Sequence, residues 1–169
     1  VKAVPELLLS YSCSKNFGIY RDRAGAAFVV SANAQGTVAA KGQLETRNRV
    51  AYSMPPDHGA KLVAGVLGDA QLNAQWRAEV EAMRQHVLRN RAALAEVLRA
   101  ECGDGFAALA GQKGMFSCLS LSPAQVDRIR EEHAIYMVSD GRINLAGLDG
   151  ARAPQLARAI AEVSRVPVF

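Results

Sequence analysis

The stretch SYSCSKNFGIYRDRAG, residues 10–25, sets one lysine, Lys15, among small and hydroxylated side chains. Ser10, Ser12 and Ser14 precede it, Asn16, Phe17 and Gly18 follow, and Arg23 lies eight residues further on. An apolar run, Leu7-Leu8-Leu9, leads in, and a second, Ala26-Ala27-Phe28-Val29-Val30, leads out. Short apolar runs bounded by turn residues read as strands. Lys15 is therefore expected on a loop between two strands, where a rigid scaffold commonly carries reactive groups.

The side chains of this loop favour a particular chemistry. Hydroxyls at Ser12 and Ser14 can donate to phosphate oxygens, and Arg23 can pair with a phosphate through its planar fork. A lysine near a cation and partly desolvated is a usable amine nucleophile toward a carbonyl. Together these groups suit a phosphorylated carbonyl compound, and pyridoxal phosphate is the cofactor of that description. The same residues also allow a plainer reading, a solvated lysine in a polar loop.

The segment SCSKNFGIYRDRAG resembles the cofactor-lysine segment of the class I aminotransferases, the family of aspartate and aromatic aminotransferases. The resemblance continues, in order, through YSMPPDHGA (52–60), GQKGMFSCLSL (111–121) and SDGRINLAGL (139–148), and so covers nearly the whole chain. It implies an α/β fold, the C-terminal part of a fold-type I pyridoxal phosphate enzyme. That part comprises the end of the large-domain sheet, a long connecting helix and a small α+β domain, with residues 1–80 in the large domain and 81–169 in the small one. The activity implied is transamination with 2-oxoglutarate by a ping-pong route through a Schiff base on Lys15. Ser12, Ser14, Lys15 and Arg23 become the cofactor-binding residues. Family members are more than twice this long, and the chain opens at Val1 without a methionine, so a fragment is expected, inactive in isolation.

The resemblance also assigns the substrate residues. Arg142, at the start of an apolar run, matches the arginine that binds the α-carboxylate common to all amino and keto acids; a bidentate guanidinium suits that group. Arg49 matches an arginine that reaches the neighbouring subunit's site in a homodimer and meets the side-chain carboxylate of dicarboxylic substrates. Phe116 matches an aromatic lining the pocket, with core packing as its alternative, and Ser53 falls in the same substrate-binding set. Where the family often has asparagine, this chain has Met54. An apolar neighbour would leave Arg49 free to move aside, and the PPDHG form also looks like the bacterial aromatic enzymes. Aromatic amino acids are thus the favoured substrates, with aspartate aminotransferase, or a non-catalytic piece retaining folding and dimer contacts, as alternatives. Ser12-x-x-Lys15 formally matches the SxxK of serine acyltransferases, but that chemistry also needs SDN and KTG partners; the chain has SDG at 139–141 and no KTG. The family's acidic partner for the pyridine nitrogen, its ring-stacking aromatic and its glycine-rich phosphate turn all lie before the lysine, outside this sequence.

Composition narrows the field further. The chain has 169 residues, half of them hydrophobic and 21% charged, the range of a globular protein. The net charge of +4 is spread without a basic block, which argues against nucleic acid as a partner. Cys13, Cys102 and Cys118 lack zinc spacing and read as reduced thiols of a cytoplasmic protein. His58, His86 and His133 form no metal-ligand pair, and no apolar run has membrane-spanning length.

Periodicity predicts the remaining elements. Strands are expected at 6–10 and 25–32, and helices at 37–50 and 58–67. Val38, Leu44 and Val50 are the apolar positions of the first helix, Pro55-Pro56 stop it, and Gly68 closes the second. Asp69 caps a helix from 70 to 101, roughly 45 Å long, whose apolar stripe is Trp76, Val80, Met83, Val87, Leu94 and Leu98. Beyond it, 106–109 and 115–121 read as paired strands and Ser122-Pro123 opens a helix to Glu132. Short strands follow at 135–138 and 142–146, then a helix at 151–164 with Leu156, Ile160 and Val163 inward.

Overall fold

The structure, a computed structural model, describes residues 4–165. The chain divides into two compact units, Val1–Val80 and Glu81–Phe169. Among the described residues no helix is long and apolar enough to cross a membrane.

In the first unit, strands β1 (Leu7–Ser12) and β2 (Gly25–Val30) pair antiparallel, with Leu7 opposite Val30 and Ser12 opposite Gly25. A Cβ at Gly25 would lie 2.3 Å from the Tyr11 carbonyl oxygen, so only glycine allows this approach. Helix α1 (Ala34–Tyr52) starts at Asn33, whose side chain accepts from the Gly36 amide, and ends before Pro55-Pro56. Val38 and Val50 are exposed, and Leu44 largely so. These three recur at steps of six, each turning about 600° around the axis, so they never share one face. Helix α2 (His58–Gly68) follows. Its Gly59 is buried where a Cβ would meet the side chains of Asp22 and Ala24 at 2.8 and 2.9 Å, which brings α2 against the end of the lysine loop.

Helix α3 (Ala70–Cys102) carries the boundary between the units. Asp69 caps it as expected, its carboxylate accepting from the Leu72 amide at 2.8 Å. Of the predicted stripe, Leu94 and Leu98 are fully buried and Val87 packs beside them in the second unit, whereas Met83 is 48% exposed. Near the boundary Arg84 and Gln85 hydrogen-bond Glu81 and hold its carboxyl down at about 2, on an exposed helix face.

The second unit contains the chain's large apolar core. Leu94 and Leu98 meet Leu109, Leu119, Leu121, Leu145, and the inward faces of α5 (Pro123–His133) and α6 (Ala153–Arg165). Val126 and Ile129 come from α5, and Leu156, Ile160 and Val163 from α6. Helix α5 begins with a full capping box, in which Ser122 and Gln125 satisfy each other's backbone amides.

Two strand expectations fail. The segment 106–109 is a 3-10 turn (Gly103–Phe106) running into a short helix, α4 (Ala108–Gly111). Ala107, Ala108 and Ala110 favour helix, and the strand they were expected to pair with takes another partner. That strand, β3 (Phe116–Cys118), pairs antiparallel with β4 (Arg142–Asn144). The segment 135–138 alternates half-buried Ile135 and Met137 with exposed Tyr136 and Val138. It shows a strand's period without a ladder, because burial of every second residue does not require a neighbouring strand.

Candidate functional site

The expected site residues fall into three groups. The first surrounds Lys15. Strand β1 ends at Ser12, the chain turns through Lys15, and a 3-10 turn at Tyr20–Asp22 delivers Arg23. Ser14 is buried and Lys15 is exposed. The Ser14 hydroxyl accepts from the Ser12 hydroxyl at 3.0 Å and from Arg23 Nη1 at 3.3 Å, so its own hydrogen remains to donate. Ser12 Oγ in turn accepts from the Ser14 amide at 3.3 Å. Arg23 stands at φ 51, a left-handed conformation costing about 1–2 kcal/mol for a residue with a side chain. Such outliers cluster at functional sites.

Tyr20 organises the two cations. Lys15 Nζ lies 4.4 Å from the centre of its ring and the Arg23 guanidinium carbon 5.4 Å. Neither cation has a carboxylate partner among the described residues; Asp22, the nearest acid in sequence, faces His58 at 3.9 Å. Two unpaired cations and two hydroxyls on one loop make a donor set suited to a phosphate monoester, and the exposed amine is open to a carbonyl. Among the described residues no group of three or more His, Cys, Asp and Glu side chains could hold a metal ion.

The loop is pinned from behind by residues that its own sequence does not reveal. Trp76 of α3 stacks on Phe17, with ring centres 4.5 Å apart and planes 14° from parallel, and its Nε1 donates to the Asn16 carbonyl at 2.8 Å. The Asn16 side chain donates to the Tyr11 hydroxyl at 2.6 Å. Trp76 is thus more than the stripe residue that periodicity suggested: it holds the residues on the C-terminal side of Lys15. A tryptophan sixty positions away carries no local signal of that contact.

The second group is Phe116 and Arg142, at the starts of β3 and β4. The register sets Phe116 opposite Asn144 and Cys118 opposite Arg142, so Phe116 and Arg142 share one face of the ribbon as diagonal neighbours. That face is exposed, while Ser117 on the other face is buried. The Arg142 guanidinium lies 5.5 Å from the centre of the Phe116 ring. Phe116 is 42% exposed and lies outside the apolar core of the described residues. The third group is Arg49, exposed in the last turn of α1, with Ser53 as its C-cap at φ 62, its amide donating to the Arg49 carbonyl, and Met54 83% exposed beside it.

With that geometry in view, comparison with known proteins gives the class. The sequence model described as aminotransferase class I and II matches residues 1–160. An aromatic-amino-acid aminotransferase of Pseudomonas aeruginosa is 48% identical over 161 residues, covering 95% of this chain and 40% of that protein. An aromatic amino acid aminotransferase from Psychrobacter sp. B6, solved with aspartic acid, is 39% identical with a TM-score of 0.85. The match covers 98% of this chain and 42% of that one. An aromatic-amino-acid aminotransferase from Burkholderia pseudomallei, covalently bound to pyridoxal phosphate, is 39% identical with a TM-score of 0.82. That match covers 94% of this chain and 40% of that one.

The fold is therefore the mixed α/β fold of the fold-type I aminotransferases. The chain belongs to the class I and II aminotransferase family. It spans about 40% of the length of the relatives it matches.

Proposed function

We propose that this chain is the C-terminal part of a pyridoxal phosphate-dependent aminotransferase acting on aromatic and, secondarily, dicarboxylic amino acids, with 2-oxoglutarate as amino acceptor. The observation that carries this reading is the Lys15 cluster: an exposed amine, two hydroxyls and an unpaired guanidinium on one loop of a chain in this family. When bound, the cofactor would supply an electron sink for the bond broken at the substrate α-carbon. Ser14, whose hydroxyl hydrogen remains free, and Arg23 would donate to its phosphate, with the Ser12 hydroxyl beside them holding Ser14 in place. Lys15 would hold it covalently, and its amine, once displaced, would move the proton at the substrate α-carbon. Arg142 would take the α-carboxylate and Phe116 would form an apolar wall beside it.

The residues 1–80 then form the C-terminal portion of a large cofactor-binding domain, and 81–169 the small domain. The exposed apolar side chains of the first unit, Leu8, Phe28 and Val38 among them, support that reading. In a cytoplasmic homodimer, Arg49 would serve the partner's site. Its exposed position, with the apolar Met54 close by, fits an arginine that meets a second carboxylate or swings away from an aromatic ring. The family contains relatives named for aromatic and for aspartate substrates, and both are consistent with that mobility.

Borohydride reduction of the pyridoxal phosphate-loaded protein, followed by peptide mapping, tests the assignment. The pyridoxyl mass is expected on Lys15; a label on any other lysine refutes the site, whatever the activity.

A further inference from the structure

Two adjacent buried polar residues of α3 reach the strand that carries Phe116 and the turn that follows the strand of Arg142. Asn90 is 7% exposed and Arg91 2%. The Asn90 amide donates to the Leu145 carbonyl at 2.8 Å and the Leu148 carbonyl at 2.7 Å, which uses both its hydrogens. His86 Nε2, 3.3 Å from the Ala146 carbonyl, is left to donate its own hydrogen there. The turn that follows β4 is thus held by α3. Arg91 does the same for β3: its Nη2 donates to the Gly114 carbonyl and its Nε lies 3.4 Å from Ser117 Oγ. Its Nη1 is buried with no partner among the described residues.

A buried guanidinium without a carboxylate is costly, and an apolar side chain of similar volume is often at least as stable in such a place. Packing alone therefore does not account for Arg91. The β3–β4 ladder is only three residue pairs long, too short to hold a rigid register by itself. Ser117 faces inward between the outward-facing Phe116 and Cys118, so the side chain that Arg91 grips is the immediate neighbour of the ring that meets Arg142. Gly114, the other acceptor, turns the chain into β3 at φ +83.

We propose that Arg91 is a positioning residue: by clamping the Gly114 carbonyl and the Ser117 hydroxyl it fixes the Phe116 ring against Arg142, while Asn90 anchors the turn that follows the opposite strand. The inference rests on the reading of Phe116 and Arg142 as the substrate-facing pair, but its main test does not. In the holoenzyme, the phenylalanines, five of them in this chain, are replaced by 4-fluorophenylalanine and the Phe116 signal is assigned by its loss in Phe116→Leu. The native protein should give one sharp fluorine resonance at Phe116. Arg91→Met should broaden or split it while the melting temperature stays within a few degrees of the parent. Arg91→Lys retains a charge and one point donor but not the fork, and should fall between the two. In kinetics, Arg91→Met should raise KM for phenylalanine about tenfold and change kcat by less than about threefold, because a displaced wall weakens substrate placement.

A Phe116 resonance unchanged in folded Arg91→Met overturns the proposal. Should Arg91→Met fail to fold, Arg91→Lys decides alone: an unchanged resonance overturns the clamp and a broadened one supports it. Failure of the underlying reading looks different, since Phe116→Leu would then leave KM for phenylalanine unaltered whatever the fluorine spectrum shows.

Discussion

Replacing Gly141 by alanine should damage the second unit more than any other single methyl group added to its glycines. Gly141 is buried, stands at φ +75 and immediately precedes Arg142. An alanine there costs about 1–2 kcal/mol for the left-handed conformation alone. Its Cβ would also sit 2.5 Å from the Leu119 carbonyl oxygen and 3.6 Å from Leu121 Cβ. A backbone oxygen cannot rotate out of the way as a side-chain tip would. The two strands must part, and the bond from the Leu119 amide to the Gly141 carbonyl, 3.0 Å long, is the first to lengthen. Losing it in a buried setting adds about 1–3 kcal/mol. The sum is about 2–5 kcal/mol, or a melting temperature lower by roughly 5–15 °C for a chain of this size.

Two companion substitutions separate the causes. Gly103 stands at φ +66 with nothing within 4 Å of an added Cβ, so Gly103→Ala should cost only the conformational part, about 1–2 kcal/mol. Gly111 has neither a left-handed φ nor a close neighbour and ends α4, so Gly111→Ala should be neutral or stabilising by up to about 1 kcal/mol. Urea unfolding of the three variants beside the parent measures each. If Gly141→Ala is no worse than Gly103→Ala, the close approach of Leu119 does not constrain the chain and the reasoning fails.

Ser122→Ala should cost about 1 kcal/mol by removing the side-chain half of the α5 capping box, and combining it with Gln125→Ala should cost less than the sum, measured by urea unfolding of single and double variants. Arg142→Ala should lower kcat/KM for all amino acids alike by roughly two to three decades, because every substrate carries the α-carboxylate; a loss confined to dicarboxylic substrates would move that role elsewhere. Arg49→Leu should strongly lower kcat/KM for glutamate and aspartate while phenylalanine changes by less than about tenfold. Mixing Arg49→Leu with Lys15→Ala subunits should then give heterodimers with one complete site, and mixed dimers that recover no glutamate activity would disprove the shared site.

Features that depend on neighbours along the chain were legible before any fold was known. The Lys15 loop between two apolar runs, the caps at Asp69 and Ser122, the proline stop after α1 and the inward stripe of α6 all follow from spacing and turn chemistry within a few residues. The family, too, was legible, because its motifs are contiguous. What failed locally were the elements whose state depends on a distant partner. The segment 106–109 is helical because β3 pairs with β4 instead, and 135–138 keeps a strand's alternation without any ladder.

How the candidate residues are held depends instead on contacts between distant parts of the chain. Trp76 read as one more position on an apolar stripe, yet its ring and indole nitrogen secure the loop that bears Lys15. Asn90 and Arg91 sit among the polar positions of a long helix and gave no signal, yet both are buried and tie down the turn after β4 and the strand of Phe116. Hydrogen-bond partners 23 to 60 positions away have no periodic signature. Packing decides which carbonyls these donors reach, since a buried donor left unpaired costs more than the order its bond imposes, although Arg91 Nη1 stays without one among the described residues.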